Sequence, residues 1–331
     1  MYKYLCVLFL LTGFVQVEGK TEEPGAEDFS SMSAKELGEA FILAVKRGDS
    51  EEVRKLIEAG ADIHQKLTYI QQDYDWDYDV TCTALQYAAG HGDTDIVKAI
   101  MQENPGLDDI HIALIYAVKR GDVNVVKELL KTPGINVNYK NGVDGAVLIT
   151  AIKKGCLGVV EELIRAGADV NCVDEYGNTP LIVAVDYACS LSQYSRQAQE
   201  KCASRWKQRA EIIKSLLKAR ADINHANKNG DTALIIAVEE HDFDAVKNIL
   251  QDPVVNVNHV NNDGDTALII AIKNVRYSYV EGDSQGYHSC VNSQNILEIL
   301  AKAPGVDLFH INKNGDTAIT LLIELGERMK H

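Results

Sequence analysis

From about Ser33 onward, polar and apolar positions come in blocks, a run rich in Asn, Asp and Gly followed by a run of aliphatic residues. Lys228-Asn229-Gly230-Asp231-Thr232 leads into Ala233-Leu234-Ile235-Ile236-Ala237-Val238. The same design returns at Asn262-Asp263-Gly264-Asp265-Thr266-Ala267-Leu268-Ile269-Ile270 and, shortened, at Lys313-Asn314-Gly315-Asp316-Thr317-Ala318-Ile319. Gly is free to take positive φ, and Asp and Thr offer side-chain oxygens to the unpaired amides of a helix start. Each pair of blocks therefore predicts a turn and then a helix.

One Ala inside that helix recurs at Ala44, Ala88, Ala117, Ala151, Ala184, Ala237 and Ala271, which sets a basic period of about 33 residues. A second amphipathic run follows each first helix. Val53, Leu56 and Ile57 precede Gly60-Ala61-Asp62; Val159, Val160, Leu163 and Ile164 precede Gly167-Ala168-Asp169; Ile212, Ile213, Leu216 and Leu217 precede Arg220-Ala221-Asp222. A repeat of this length with a turn and two helices resembles the ankyrin-repeat family, over roughly Ser33 to the C-terminus. The resemblance implies an all-α repeat solenoid, an ankyrin stack of about seven repeats plus a C-terminal half-repeat, forming one domain over 33–331. Where the family has Thr-Pro-Leu-His, this chain has Thr179-Pro180-Leu181-Ile182 once and Thr-Ala-Leu-Ile elsewhere, so a polar link between turns is expected to be lost. First helices of about eight to ten residues are expected, too short to hold alone in water and dependent on stacking.

The segment before the repeats has another character. Lys3 precedes an apolar run from Leu5 to Val15, and Val17-Glu18-Gly19 offers small residues for cleavage, so residues 1–19 read as a secretory signal peptide. Residues 20–32 are rich in Glu, Gly, Ser and Pro and read as a disordered acidic linker. No segment has the roughly 18 uninterrupted apolar residues of a membrane span. Lys35, Glu36 and Glu39 at one end, and Glu324, Glu327, Arg328 and Lys330 at the other, suit capping units. A net charge of −15 argues against nucleic acid as partner and is compatible with a basic protein surface.

Three insertions break the period, near 67–78, 190–208 and 274–292, and should carry the individuality of the molecule. In the first, an extended chain would put Tyr74, Trp76 and Tyr78 on one side and the neighbouring Asp residues on the other, an aromatic row suited to an interface. Asp73, Asp75 and Asp77 mimic the start of a calcium loop, yet Tyr78 stands where Gly is needed and Ala84 where Glu is needed. The second insertion is full of helix formers and holds a basic stretch including Arg205, Lys207 and Arg209. The third reads as a Tyr-rich loop in which Gly282-Asp283-Ser284-Gln285-Gly286, with His288 nearby, matches a hydrolase elbow pattern but lacks the strand-to-helix setting the elbow requires.

His225, His259 and His310 fall at the same place in three successive units. Neighbouring helices stand about 10 Å apart, so these rings cannot share one metal and are expected to brace the turns. Cys189 and Cys202 bracket the second insertion and form the candidate disulfide, whereas Cys156 and Cys189 sit one unit apart, beyond disulfide reach.

The reading implied by the resemblance is an exported, non-enzymatic scaffold with no cofactor or metal, monomeric, that binds another protein through turn tips and first-helix faces, which form a concave recognition surface, and through its insertions. Its binding candidates are the turn tips Tyr139, Lys140, Asn141, Glu175, Tyr176, Asn227, Lys228, Asn262, Asp263, Lys313 and Asn314, together with Tyr74, Trp76 and Tyr78. Alternatives are a hydrolase built on the 274–292 insertion and a self-associating envelope protein. Export places the protein in the periplasm or outside the cell.

Overall fold

The computed structural model describes residues 29–72, 77–141, 145–186, 196–280 and 287–328. Seven helix pairs follow one another: α1 (Ala34–Arg47) with α2 (Ser50–Glu58), α3 (Ala84–His91) with α4 (Thr94–Gln102), α5 (Leu107–Arg120) with α6 (Val123–Leu130), and α7 (Val147–Lys154) with α8 (Leu157–Arg165). Then come α9 (Pro180–Asp186) with α10 (Arg196–Lys218), α11 (Ala233–Glu239) with α12 (Phe243–Leu250), α13 (Ala267–Val280) with α14 (Tyr287–Ala301), and the single helix α15 (Ala318–Arg328). First helices pack on first helices along the chain, and second helices on second helices, which gives two parallel layers. The expected all-α repeat stack, of seven repeats and a half, is what the chain forms.

Local chemistry explains where each helix starts and stops. The Thr of the repeated motif is the N-cap: Thr179, Thr232 and Thr266 each accept the backbone N–H three residues on, at 3.3, 3.4 and 3.3 Å. Second helices are capped by Asp, as at Asp49, Asp122 and Asp242. Left-handed Gly48, Gly92, Gly121 and Gly155 end four of the first helices. The aligned Ala residues are buried because a larger side chain would hold the helix layers apart.

The core is continuous from Leu37 to Leu321. Each unit contributes aliphatic side chains to it, such as Leu234, Ile235, Val246 and Ile249. Burying each such side chain yields roughly 1.5–3 kcal/mol gross, which chain entropy largely offsets. No single pair of helices has a closed core; the stack does.

Three features depart from expectation. Helices α1, α5 and α13 each have 14 residues, longer than expected. Helix α5 follows a short connection with no hairpin before it, so it starts a turn early, at Leu107-Asp108-Asp109, whereas α13 runs on into the third insertion. That insertion is therefore flanked by helix on both sides, where the sequence suggested loop. The first insertion is a long antiparallel hairpin of β1 (Lys66–Gln72) and β2 (Asp77–Thr83), in register from Lys66 opposite Thr83 to Gln72 opposite Asp77. Leu67 and Cys82 bury one face at its base, and Thr83 passes directly into α3 as its cap. A shorter hairpin of β3 (Lys140–Asn141) and β4 (Gly145–Ala146) precedes α7. The second insertion extends α10 to 23 residues, as its helix formers predict.

Candidate protein-binding surface

The turns between units are locked to one another by side chains repeated in register. Asn227 Oδ1 accepts the amides of Asn229 and Asp231, at 2.9 and 3.0 Å, and so closes its own turn. Asn261 and Asn312 do the same for Asp263 and Asp265, and for Asn314 and Asp316. Each of these Asn residues also reaches back one unit: Asn227 Nδ2 donates to Asn178 Oδ1, Asn261 Nδ2 to Asp231 Oδ1, and Asn312 Nδ2 to Asp265 Oδ1, at 3.0, 3.0 and 2.7 Å. Asp231 and Asp265, expected to cap helices beside Thr, instead receive the next turn.

The His column braces these turns as expected. His225, His259 and His310 donate from Nε2 to the carbonyls of Gly177, Gly230 and Gly264 in the preceding units, at 3.0, 3.0 and 2.9 Å. A carbonyl can only accept, so the ring proton sits on Nε2. The polar link expected to vanish with the missing motif His is thus supplied by another residue. Among the described residues no cluster of His, Cys, Asp and Glu can hold a metal ion.

The same column holds Tyr139 and Cys172 in earlier units. Tyr139 lies half-buried and stacks on His111, ring centroids 4.7 Å apart and planes 2° from parallel. His111 Nε2 in turn accepts the Asn136 amide at 2.9 Å. Tyr139, singled out as a binding tip, therefore spends one ring face inside the stack. Cys172 is half-buried, and burial, reinforced by Asp169, pushes its thiol up to about 11. Cys82 is likewise raised to about 11 by burial and then by Asp109. Cys82, Cys156 and Cys172 are free thiols.

The other tips form a row. Lys140, Glu175, Tyr176, Lys228, Asn262, Asp263, Lys313 and Asn314 are exposed. Lys228 N donates to Tyr176 O at 3.1 Å, Asn262 N to Asn229 O at 3.0 Å, and Lys313 Nζ to Asn262 O. Tyr176, 62% exposed, thus offers its ring to solvent from a fixed backbone. Gly230 and Gly264 make this approach feasible, at φ +79° and +82°; a Cβ on them would stand 2.8 Å from Asn262 N and 2.7 Å from Lys313 N. Asn141, Tyr74, Trp76, Cys189 and Ser284 lie outside the residues or side chains described, as do the side chains of Tyr78, Cys202 and His288. The basic stretch of the second insertion proves partly structural. Arg209 is buried, with Nε donating to Ala184 O at 2.6 Å and Nη1 lying 3.2 Å from Asp242 Oδ2.

A second row lies at the C-terminal ends of the first helices. Lys46–Arg47, Lys119–Arg120 and Lys153–Lys154 all stand just before a left-handed Gly. Lys46 Nζ donates to Thr68 O in the β1–β2 hairpin at 2.9 Å, and Lys273 at the matching place meets Asp265 at 2.5 Å, so this position faces the turns. A Cβ on Gly92 would lie 2.9 Å from Arg120 Nε, so consecutive helix ends adjoin. In the next units the row becomes acidic, with Asp186, Glu239 and Glu240. Burial, then the charges of Asp231, Glu240, Asp263 and Asp186, push the Glu239 carboxyl up to about 7. The sequence held a signal for this row, pairs of like charge at Lys46–Arg47, Lys119–Arg120, Lys153–Lys154 and Glu239–Glu240, but its meaning depends on knowing that these ends align.

A family model of ankyrin repeats matches residues 41–141, 114–193 and 201–282. A putative ankyrin repeat protein of Acanthamoeba polyphaga mimivirus is 33% identical over 88 residues, 27% of this chain, and the match spans only 11% of that protein's length. Among solved structures, the ankyrin-repeat protein EF0377 superposes with a TM-score of 0.50 at 26% identity, over 64% of this chain and 91% of that one. An ankyrin repeat domain from Acinetobacter baumannii AYE gives 0.50 at 27% identity, over 65% and 92%. The ankyrin repeat domain of Bcl-3, a member of the IkappaB protein family, gives 0.54 at 20% identity over 70% and 92%, a likeness of fold alone.

Proposed function

We propose, from the premise that this chain belongs to the ankyrin-repeat family, that it is an exported scaffold that binds another protein and performs no catalysis. The observation that carries the reading is the row of turn tips. Their backbones are held by bonds from unit to unit, while Glu175, Tyr176, Lys228, Asp263 and Lys313 remain exposed. A surface whose ordering cost is met during folding binds without a second entropic penalty. Export rests on the apolar run Leu5–Val15 followed by Val17-Glu18-Gly19, and among the described residues no helix is long and apolar enough to cross a membrane.

The test uses the chain from Lys20 to His331 as bait in extracts of its own envelope and of host cells, beside a variant carrying Tyr176→Ala and Lys228→Ala, and a second carrying Tyr74→Ala, Trp76→Ala and Tyr78→Ala. Capture of one partner that either variant loses supports the scaffold reading and identifies the face used. Absence of any specific partner counts against it. Mass spectrometry of the N-terminus recovered from the cell exterior tests export: a chain that starts at Met1 and stays in the cytoplasm removes that part of the proposal.

A further inference from the structure

The helix-end row changes sign along the stack. Helices α1, α5 and α7 end in the cationic pairs Lys46–Arg47, Lys119–Arg120 and Lys153–Lys154, all exposed, in a protein whose net charge is −15. Arg47 pairs with Glu52, whereas no ion pair to Arg120, Lys153 or Lys154 occurs among the described residues. At the ends of α9 and α11 the same place holds Asp186, then Glu239 and Glu240, before Lys273 in α13 returns it to a cation, there paired with Asp265.

Helix electrostatics accounts for only half of this. Cations at a helix C-terminus complement the macrodipole, and carboxylates there oppose it. If the row served helix stability alone, α9 and α11 would end in Lys or Arg as well. They end in acids, although burial first, and the neighbouring Asp231 and Glu240 charges next, push the Glu239 carboxyl up. The sign reversal therefore follows something outside the helices.

We infer that this edge binds an extended polypeptide with two blocks of charge, an acidic block over the ends of α1 to α7 and a basic block over α9 and α11. The inference rests on the protein-binding reading above and specifies its partner. Helix axes in a stack are about 8–10 Å apart, so three steps from α1 to α7 span roughly 24–30 Å. About eight extended residues at ~3.3 Å each cover that length. A nucleic acid carries phosphate at every step and would run its charge onto Asp186 and Glu239, within the Debye length of about 8 Å. A peptide can change sign where the surface does.

The experiment titrates the full chain with fluorescent peptides of about eight Glu joined to about six Lys, in both chain orders, and with all-Glu and all-Lys peptides and a single-stranded oligonucleotide. In one order the two-block peptide binds at least about tenfold tighter than all-Glu, and the affinity falls with salt. Lys153→Glu with Lys154→Glu, exposed positions whose folding is checked by circular dichroism, weakens it by about tenfold or more. Glu239→Lys with Glu240→Lys removes the advantage over all-Glu while leaving all-Glu binding in place. Equal binding of all-Glu and two-block peptides, tighter binding of the oligonucleotide, or indifference to both charge reversals overturns the inference. If the charge-reversed variants still capture the partner found with the wild-type bait, the scaffold reading stands and the two-block partner fails.

Discussion

Arg209 in α10 and Asp242, the N-cap of α12, meet at 3.2 Å with both side chains buried. The contact joins second helices of successive units, and through Arg209 Nε and Ala184 O it also holds the end of α9. Burial lowers the Arg209 pKa, and the adjacent Asp242 charge offsets part of that. Desolvating two ions is costly, so removing one leaves the other stranded. Arg209→Ala should destabilise the stack by about 3–5 kcal/mol in urea unfolding, and Arg209→Met combined with Asp242→Leu should recover much of the loss. A loss in the double variant equal to the sum of the two single losses would show that the pair is not coupled.

Gly230 sits at φ +79° where the next turn comes closest. Ala there must take a left-handed backbone, at about 1–2 kcal/mol, and also push away Asn262 N. Gly230→Ala should therefore cost at least that much and loosen the turn of the following unit as well as its own. Amide exchange reads both effects; protection lost at Asn227–Asp231 but kept at Asn261–Asp265 would show that the turns are independent.

The Glu239 carboxyl is raised to about 7, above the ~4.3 of an unfolded chain, so the folded state binds the extra proton between those values. Its contribution makes the fold less stable as pH rises through about 7, and the penalty vanishes below about pH 4. Glu239→Gln should raise Tm at pH 8 and leave it unchanged at pH 4. Because the side chain reaches solvent, the gain is discounted to about 1 kcal/mol or less, roughly 2–4 °C. A gain of equal size at both pH values would assign it to something other than charge.

Buried thiols should react slowly. Cys82 and Cys172, both raised to about 11, carry little thiolate at pH 8, and Cys82 is also covered. Disulfide-exchange reagents should label these two far more slowly in the folded chain than in urea. Labelling of both at the rate of a free peptide would contradict the packing at the hairpin base and in the turn column.

The repeat was legible because turn chemistry and apolar periodicity recur together: Thr232 and Thr266 cap the helices their sequence announces, and the matching places of His225, His259 and His310 foretold a shared bracing role. Roles that depend on the next unit were not legible. Asp231 looks like a helix cap until Asn261, 30 residues on, is seen donating to it. Arg209 reads as part of a basic surface because a pattern of Lys and Arg is silent about a carboxylate arriving from α12. Helix α5 was underestimated since the absence of a preceding hairpin, which lets it start early, has no residue signature of its own. The charge row needed the alignment of helix ends, a property of the stack.

One series of side chains gives the molecule a direction in time. Asn138, Asn171, Asn224 and Asn258 each accept, through Oδ1, the amide of a residue in the following unit: Asp169, Asp222, Asn256 and Asp307, at 2.7–2.8 Å. Phe309 takes the fifth place in that series and stands 74% exposed. The ribosome releases the amino-terminal partner of every such bond first, so each acceptor must wait while 31, 51, 32 or 49 further residues are made. A nascent chain thus completes its units in the order of synthesis, each one finished by its successor.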